Sequence, residues 1–278
     1  MTVLTFNELL FGVSFFAGII GALTGLGGGV ILTPALVLLF GVNIHYAMGA
    51  SLISVIATSS GTAVAYLKEG FTNMRIGMFL ETGTVIGALI GALLISFFSK
   101  SALSLIFGVV LILSAYLTWR HKTIEQPSGN SHPWAVALKL EGTYPTSTGT
   151  KSYSVQRVPL AWGVMSFAGL ISGLLGIGSG ALKVLAMDHV MQLPYKVATT
   201  TSNFIIGITA AVSAGIYFAN GYVDPIITFP VVIGVTLGAF TGTKILVRVR
   251  STTLRTIFIV VIVILAIQMI YKGLAGSL

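Results

Sequence analysis

Two glycine-dense stretches carry the chemistry that can be read from this chain: Gly25-Leu26-Gly27-Gly28-Gly29 and, 151 positions on, Gly176-Ile177-Gly178-Ser179-Gly180. Glycine frees the backbone from side-chain bulk and from the restriction to negative φ. A helix broken there resumes near Val30 in one copy and near Ala181 in the other. The first N–H groups of each resumed segment lack helical partners, and the positive end of its dipole lies with them. Such an end attracts anions. Gly27, Gly28 and Gly29 in the first copy, and Gly178, Ser179 and Gly180 in the second, are therefore candidate donors to a small oxyanion. Close helix packing is the competing reading of small residues. It suits better the sparser Gly83, Gly87 and Gly91, which recur at the same offset as Gly234, Gly238 and Gly242.

Polar residues that differ between the copies add to this set. Lys183 aligns with Leu32 and stands just after the second glycine cluster, where its ammonium would reinforce the positive helix end. An ionisable residue inside a membrane marks a functional site by default. The alternative for Lys183 is a local pairing with Asp188 or with freed backbone carbonyls. Glu81 aligns with Val232, about six residues into its span and nearer the cytoplasmic end than the midplane. A buried carboxylate can carry a proton at neutral pH, so Glu81 and Asp188 are candidates for coupling; structural hydrogen bonding or an interfacial position is the alternative for Glu81. Thr199-Thr200-Thr201-Ser202-Asn203 stands opposite Met48-Gly49-Ala50-Ser51-Leu52, making Ser51 and Ser202 a symmetric pair. Hydroxyls and amides there suit oxyanion oxygens, although Ser and Thr in membrane helices also bond their own backbone. Asn203 lacks that easy outlet, and Thr201 and Ser202 complete the candidate set.

The elements that must position these residues follow from composition. Of 278 residues 55% are hydrophobic and 8% charged, too apolar for a soluble domain of this size. Apolar spans fall at about 45–67, 75–98 and 101–119, and again at about 196–218, 226–247 and 253–271. Each is long enough, at about 1.5 Å per residue, to cross or nearly cross a hydrocarbon core of roughly 30 Å. No basic residue precedes the first apolar run, so that run is expected to stay as a membrane segment rather than be removed as a signal peptide. The net charge of +8 is read as a topological bias and not as affinity for nucleic acid. There are no cysteines, which rules out disulfides, thiolate metal sites and a cysteine-based sulfur relay. His45, His121, His132 and His189 are scattered, and neither a metal nor a cofactor is expected.

Whether residues 8–40 and 159–191 each form one broken crossing or a hairpin of two half-helices decides the topology. Broken crossings leave six Lys and Arg on one side and eight on the other, which is no bias. Hairpins place twelve on one side and two on the other, with Lys183 inside the membrane. The excess of Lys and Arg marks the cytoplasmic side, so the hairpin is preferred. The expectation is an all-α polytopic protein of the cytoplasmic (inner) membrane, built from two inverted repeats at residues 1–119 and 159–278. Each repeat is a glycine-broken hairpin plus three transmembrane helices, with both termini outside. The half-helices, at about 11–17 residues, are expected to penetrate partway. The polar linker 120–158 is placed in the cytoplasm. Alternation over Trp134–Leu140 and around Tyr153–Val155, with Pro145–Gly149 between, predicts a short β-hairpin there, a flexible tether being the alternative.

The segments GLGGGVILTPAL at 25–36, GIGSGALKVLAM at 176–187 and YKVATTTSNF at 195–204, with the two-copy layout, resemble the sulfite exporter TauE/SafE family of membrane anion transporters. The resemblance covers nearly the whole chain outside the linker. It implies movement of sulfite, sulfoacetate or related sulfur-containing or organic anions across the cytoplasmic membrane, commonly outward. Ser179 departs from the family's glycine, and Leu185 from its proline, for which Pro34 stands in the first copy. Serine keeps the backbone amide; loss of the proline bears on how sharply the second hairpin bends. An alternating-access carrier with its site between the hairpins is expected, with an anion channel on the same frame as the alternative. A membrane-embedded sulfur-transfer enzyme is disfavoured for want of a nucleophile. The partners expected are a small anion and the lipid bilayer; a homo-oligomer is compatible with this reading.

Overall fold

The computed structural model describes residues 3–24, 27–68, 70–119, 131–146, 149–178, 180–246 and 251–276. Helix α1 (Val3–Thr24) leads to the first glycine cluster, after which come α2 (Gly29–Leu39), α3 (Ile44–Lys68), α4 (Met74–Leu94) and α5 (Lys100–Trp119). Beyond the linker lie α7 (Val158–Leu175), α8 (Gly180–Leu185) with a π-helical turn at Ala186–Val190, α9 (Tyr195–Ala219), α10 (Pro225–Leu246) and α11 (Ser251–Ala275). The starts of α2, α3, α4 and α5 recur in α8, α9, α10 and α11 within a residue of the 151 offset. Among the described residues, six helices are long and apolar enough to cross a membrane: α1, α4, α5, α7, α9 and α10.

Local chemistry explains the element ends. Asn73 caps α4, its side chain accepting from the Ile76 N–H at 3.1 Å. Pro159 and Pro225 open α7 and α10, where the missing N–H costs nothing. Gly176 closes α7 in the left-handed conformation, its N–H donating to the Ser172 carbonyl at 2.9 Å.

The expected half-helices need correcting. The first arm of each hairpin is not short: α1 has 22 residues and α7 has 18, both of spanning length. α1 extends N-terminally through the polar Thr5, Asn7 and Glu8, which hydropathy alone trims away. Only the second arms, α2 with 11 residues and α8 with 6, are half-length. α2 stays α-helical through Pro34, whereas its counterpart passes after Leu185 into the π-helical turn.

The packing exchanges elements between the halves. α1 lies on α10 and α4 on α7; α3 crosses α9, and α5 packs on α11. The glycines read as packing residues sit in the first two contacts. A Cβ added at Gly87 would come 1.9 Å from the Ser166 carbonyl oxygen, and one at Gly91 2.0 Å from that of Leu170. On the other side, Gly238 would meet the Phe15 oxygen at 2.1 Å and Gly242 that of Ile19 at 2.8 Å. Backbones this close leave no room for any side chain. α5 and α11 run antiparallel: the Ser104 hydroxyl donates to the Met269 carbonyl at 2.7 Å, while Gly108 lies against Ala266 and Gly273 against Ser101.

The linker does contain a β-hairpin, but not the one alternation suggested. Its strands are β1 (Gly142–Thr146) and β2 (Gly149–Tyr153), paired antiparallel from Gly142 with Tyr153 to Thr146 with Gly149. Pro133 instead starts a helical turn, α6 (Pro133–Ala137), over the stretch read as alternating. The hairpin docks on α4: Asn73 Nδ2 donates to the Leu140 carbonyl at 2.9 Å and to the Tyr153 phenol at 2.7 Å, and Arg75 donates to the Lys139 carbonyl at 3.2 Å. Burial pushes the Tyr153 phenol above its usual range, and the bond from Asn73 opposes that rise. Residues 120–130 of the linker lie outside the described ones.

Candidate anion-transport site

The two glycine breaks meet. Gly27 has φ +74° and Gly178 has φ +73°, a backbone region costly for any side chain. Both press on the same two buried residues, Val55 of α3 and Ile206 of α9, themselves 151 positions apart. A Cβ at Gly27 would stand 3.1 Å from Ile206 Cδ1 and 3.5 Å from Val55 Cγ2; one at Gly178 would stand 2.8 Å from Ile206 Cγ1 and 3.0 Å from Val55 Cγ1. Gly29 and Ile177 also approach one another, the Cβ position of the first lying 3.5 Å from the carbonyl oxygen of the second.

The serine pair holds the short helices in place. Ser51 Oγ donates to the Gly29 carbonyl at 3.1 Å, and Ser202 Oγ makes the equivalent, longer contact to Gly180 at 3.5 Å. These hydroxyls pin the first residues of α2 and α8 to α3 and α9. Other members of the polar string separate. Thr201 Oγ1 accepts from the Asn73 N–H at 3.0 Å, at the start of α4, and Thr200 bonds back to the Lys196 carbonyl at 2.9 Å. Asn203 is fully buried and reaches α1, its Nδ2 donating to the Ala22 carbonyl at 3.4 Å while its Oδ1 has no partner. Gly28 is the N-cap of α2, accepting from the N–H groups of Ile31 and Leu32. Ser179 lies outside the described residues.

The charged network is the part that sequence reasoning did not assemble. Lys183 Nζ lies 3.1 Å from Glu81 Oε2, and their side chains are 0% and 3% exposed. Glu81 is therefore inside the bundle and not at an interface, because α4 enters between α7 and α9 and brings its second turn onto α8's lysine. Thr84 Oγ1 donates to Glu81 Oε2 at 2.7 Å. Thr209 Oγ1 donates to Glu81 Oε1 and accepts from Lys183 Nζ. Thr84 and Thr209 were not candidates. The available signal was that Lys183 and Glu81 are opposite charges in apolar segments, each opposite an aliphatic residue in the other copy; buried charges of this kind pair. Thr209 matches Thr58, but Leu32 and Val232 leave the first copy no charges to receive. Asp188 sits buried on the π-helical turn.

Fold and site together define a multi-pass helical membrane protein with an ionic network inside its bundle. Residues 10–269 match the model of the family described as Sulfite exporter TauE/SafE, and the chain belongs to that family. It is similar to the probable membrane transporter protein YunE of Bacillus subtilis (strain 168), with 29% identity over 93% of this chain and 95% of the relative. It is also similar to the probable membrane transporter protein YdhB of the same organism, 30% identical over 84% and 87%. The probable membrane transporter protein MJ0441 of Methanocaldococcus jannaschii is 26% identical over 89% of each chain. No solved structure matches the chain. The protein is thus a membrane transporter of the TauE/SafE family.

Proposed function

We propose that this transporter moves sulfite or a related small sulfur-containing or organic anion, such as sulfoacetate, across the cytoplasmic membrane, outward and by alternating access, with proton coupling. The observation that carries this reading is the position of Lys183, three residues into the helix that follows the second glycine break and fully buried. An oxyanion at that break would meet backbone N–H groups and, beside them, a fixed ammonium. Gly27, Gly28, Gly29, Gly178, Ser179 and Gly180 would supply the backbone donors, with Ser51, Thr201, Ser202 and Asn203 as the surrounding polar set. Ser51 and Ser202 then serve by aiming the short helices, and Thr201 by fixing the start of α4. Glu81 and Asp188 are the acidic groups proposed to carry the proton.

Inverted repeats fit the same reading. α5 and α11 occupy equivalent places in the two copies and pack antiparallel, which is expected if one copy is turned over and not if both run the same way. Turning it over puts both termini outside, the linker in the cytoplasm and twelve basic residues on that side. The two glycine tips, converging on Val55 and Ile206 from opposite halves, then form a central barrier that a rocking motion could open to either face.

Proteoliposome flux tests the mechanism. Saturable sulfite uptake accelerated by sulfite on the far side is the expected result. Fast, linear, non-saturating flux would point instead to a channel on the same frame.

A further inference from the structure

Glu81 is bonded as a substrate would be. Its two carboxylate oxygens collect three donors: Oε2 receives Lys183 Nζ at 3.1 Å and Thr84 Oγ1 at 2.7 Å, and Oε1 receives Thr209 Oγ1. Three donors from three helices thus converge on one planar, two-oxygen anionic group. Carboxylate, sulfite and sulfonate all present such a pair of oxygens. Resting on the anion-transport reading above, we propose that Glu81 is a tethered mimic of the substrate: the transported anion binds by displacing the Glu81 carboxylate from Lys183 and Thr209, and Glu81 accepts one proton as it leaves.

The proton follows from charge. A buried carboxylate deprived of its cation cannot stay ionised in an apolar surround without a large cost, so it is neutralised. The proton comes from the aqueous side to which the site is open and ends on a Glu81 oxygen. Before exchange the site holds Lys183 positive and Glu81 negative; afterwards it holds Lys183 positive, a monoanion and neutral Glu81. Net charge is zero in both, so both forms can reorient through the low-dielectric interior at similar cost.

Among the described residues, no other ionisable group bonds to the Lys183 ammonium or to Thr209. α7, which packs along α4, carries none. On α9, Tyr195 and Lys196 lie at the first turn, about 20 Å along the helix from Thr209, with the Lys196 ammonium 5.3 Å from the centre of the Phe71 ring. Tyr217 donates to the Gly173 and Leu174 carbonyls. On α4 itself, Arg75 is bonded to the linker. The π-helical turn after α8 carries Asp188 and His189.

The test uses full-length protein in nanodiscs and methanesulfonate, a sulfonate that stays a monoanion between pH 6 and 8. Calorimetric titration in buffers of differing ionisation heat counts protons directly. Wild-type protein is expected to take up about one proton per anion, with affinity falling about tenfold per pH unit as pH rises. Glu81→Gln, which removes the competing charge, is expected to bind more tightly, without proton uptake and without pH dependence. Methanesulfonate binding by wild-type protein with no proton uptake overturns the mimic, whether or not the variant folds. Equal proton uptake by wild type and variant overturns it too. In both cases anion binding itself survives; absence of both methanesulfonate and sulfite binding by wild type would instead remove the transport reading and the mimic with it.

Discussion

Lys183 Nζ sits 3.1 Å from Glu81 Oε2, joining two helices from different halves of the chain at two positions where those halves differ in charge. In the first copy the lysine position is Leu32, and in the second the glutamate position is Val232. Each half therefore brings one buried charge that the other lacks, and the two meet.

Removing one member of this pair should be worse than removing both. Lys183→Met strands a buried carboxylate and is expected to destabilise the protein by about 3–5 kcal/mol. Adding Glu81→Gln should restore most of that stability, with thermal unfolding in detergent as the measurement. Sulfite flux should stay absent in the double variant, separating the lysine's role in transport from its role in folding.

Gly27→Ala and Gly178→Ala are expected to destabilise by about 1–2 kcal/mol each from the positive φ alone. Gly178→Ala should be the more damaging, since its Cβ meets Ile206 and Val55 at 3.0 Å or less while that of Gly27 stands at 3.1 Å or more. Unfolding midpoints and initial flux rates measured on the same preparations would show the order.

At Gly87 a methyl group would overlap the Ser166 carbonyl oxygen. Gly87→Ala should force α4 and α7 apart, costing about 1–3 kcal/mol. Because α4 carries Glu81, flux should fall with stability, and a second substitution restoring stability should not fully restore flux. Gly12→Ala, where a Cβ meets nothing within 4 Å, is the control and should be neutral.

Asn73→Ala removes the α4 cap and both side-chain bonds to the linker. The lost cap alone costs about 1 kcal/mol. Hydrogen exchange should rise across residues 139–155, while sulfite binding weakens much less than in Lys183→Met.

Much of this architecture is visible in the residues because the chain is duplicated and the membrane restricts what a segment can be. The glycine clusters, the helix boundaries and the packing role of Gly83, Gly87 and Gly91 all follow from repeat spacing and residue size. What stays hidden is long-range. Nothing local to Glu81 says that α4 slots between α7 and α9, so its partner 102 positions away is invisible until those contacts exist. Hydroxyls are similarly ambiguous: Ser51, Thr200 and Thr201 read alike in sequence, yet one pins a short helix, one bonds its own turn and one receives the Asn73 amide. At Trp134–Leu140, alternation suggested a strand, but Pro133 at a helix start prevailed.

Direct binding of radiolabelled sulfite to purified protein, comparing wild type with the double variant Lys183→Met and Glu81→Gln, tests most directly whether Lys183 is the anion's anchor. Saturable binding by wild type and none by the folded double variant is the result expected. Equal binding by both would contradict it.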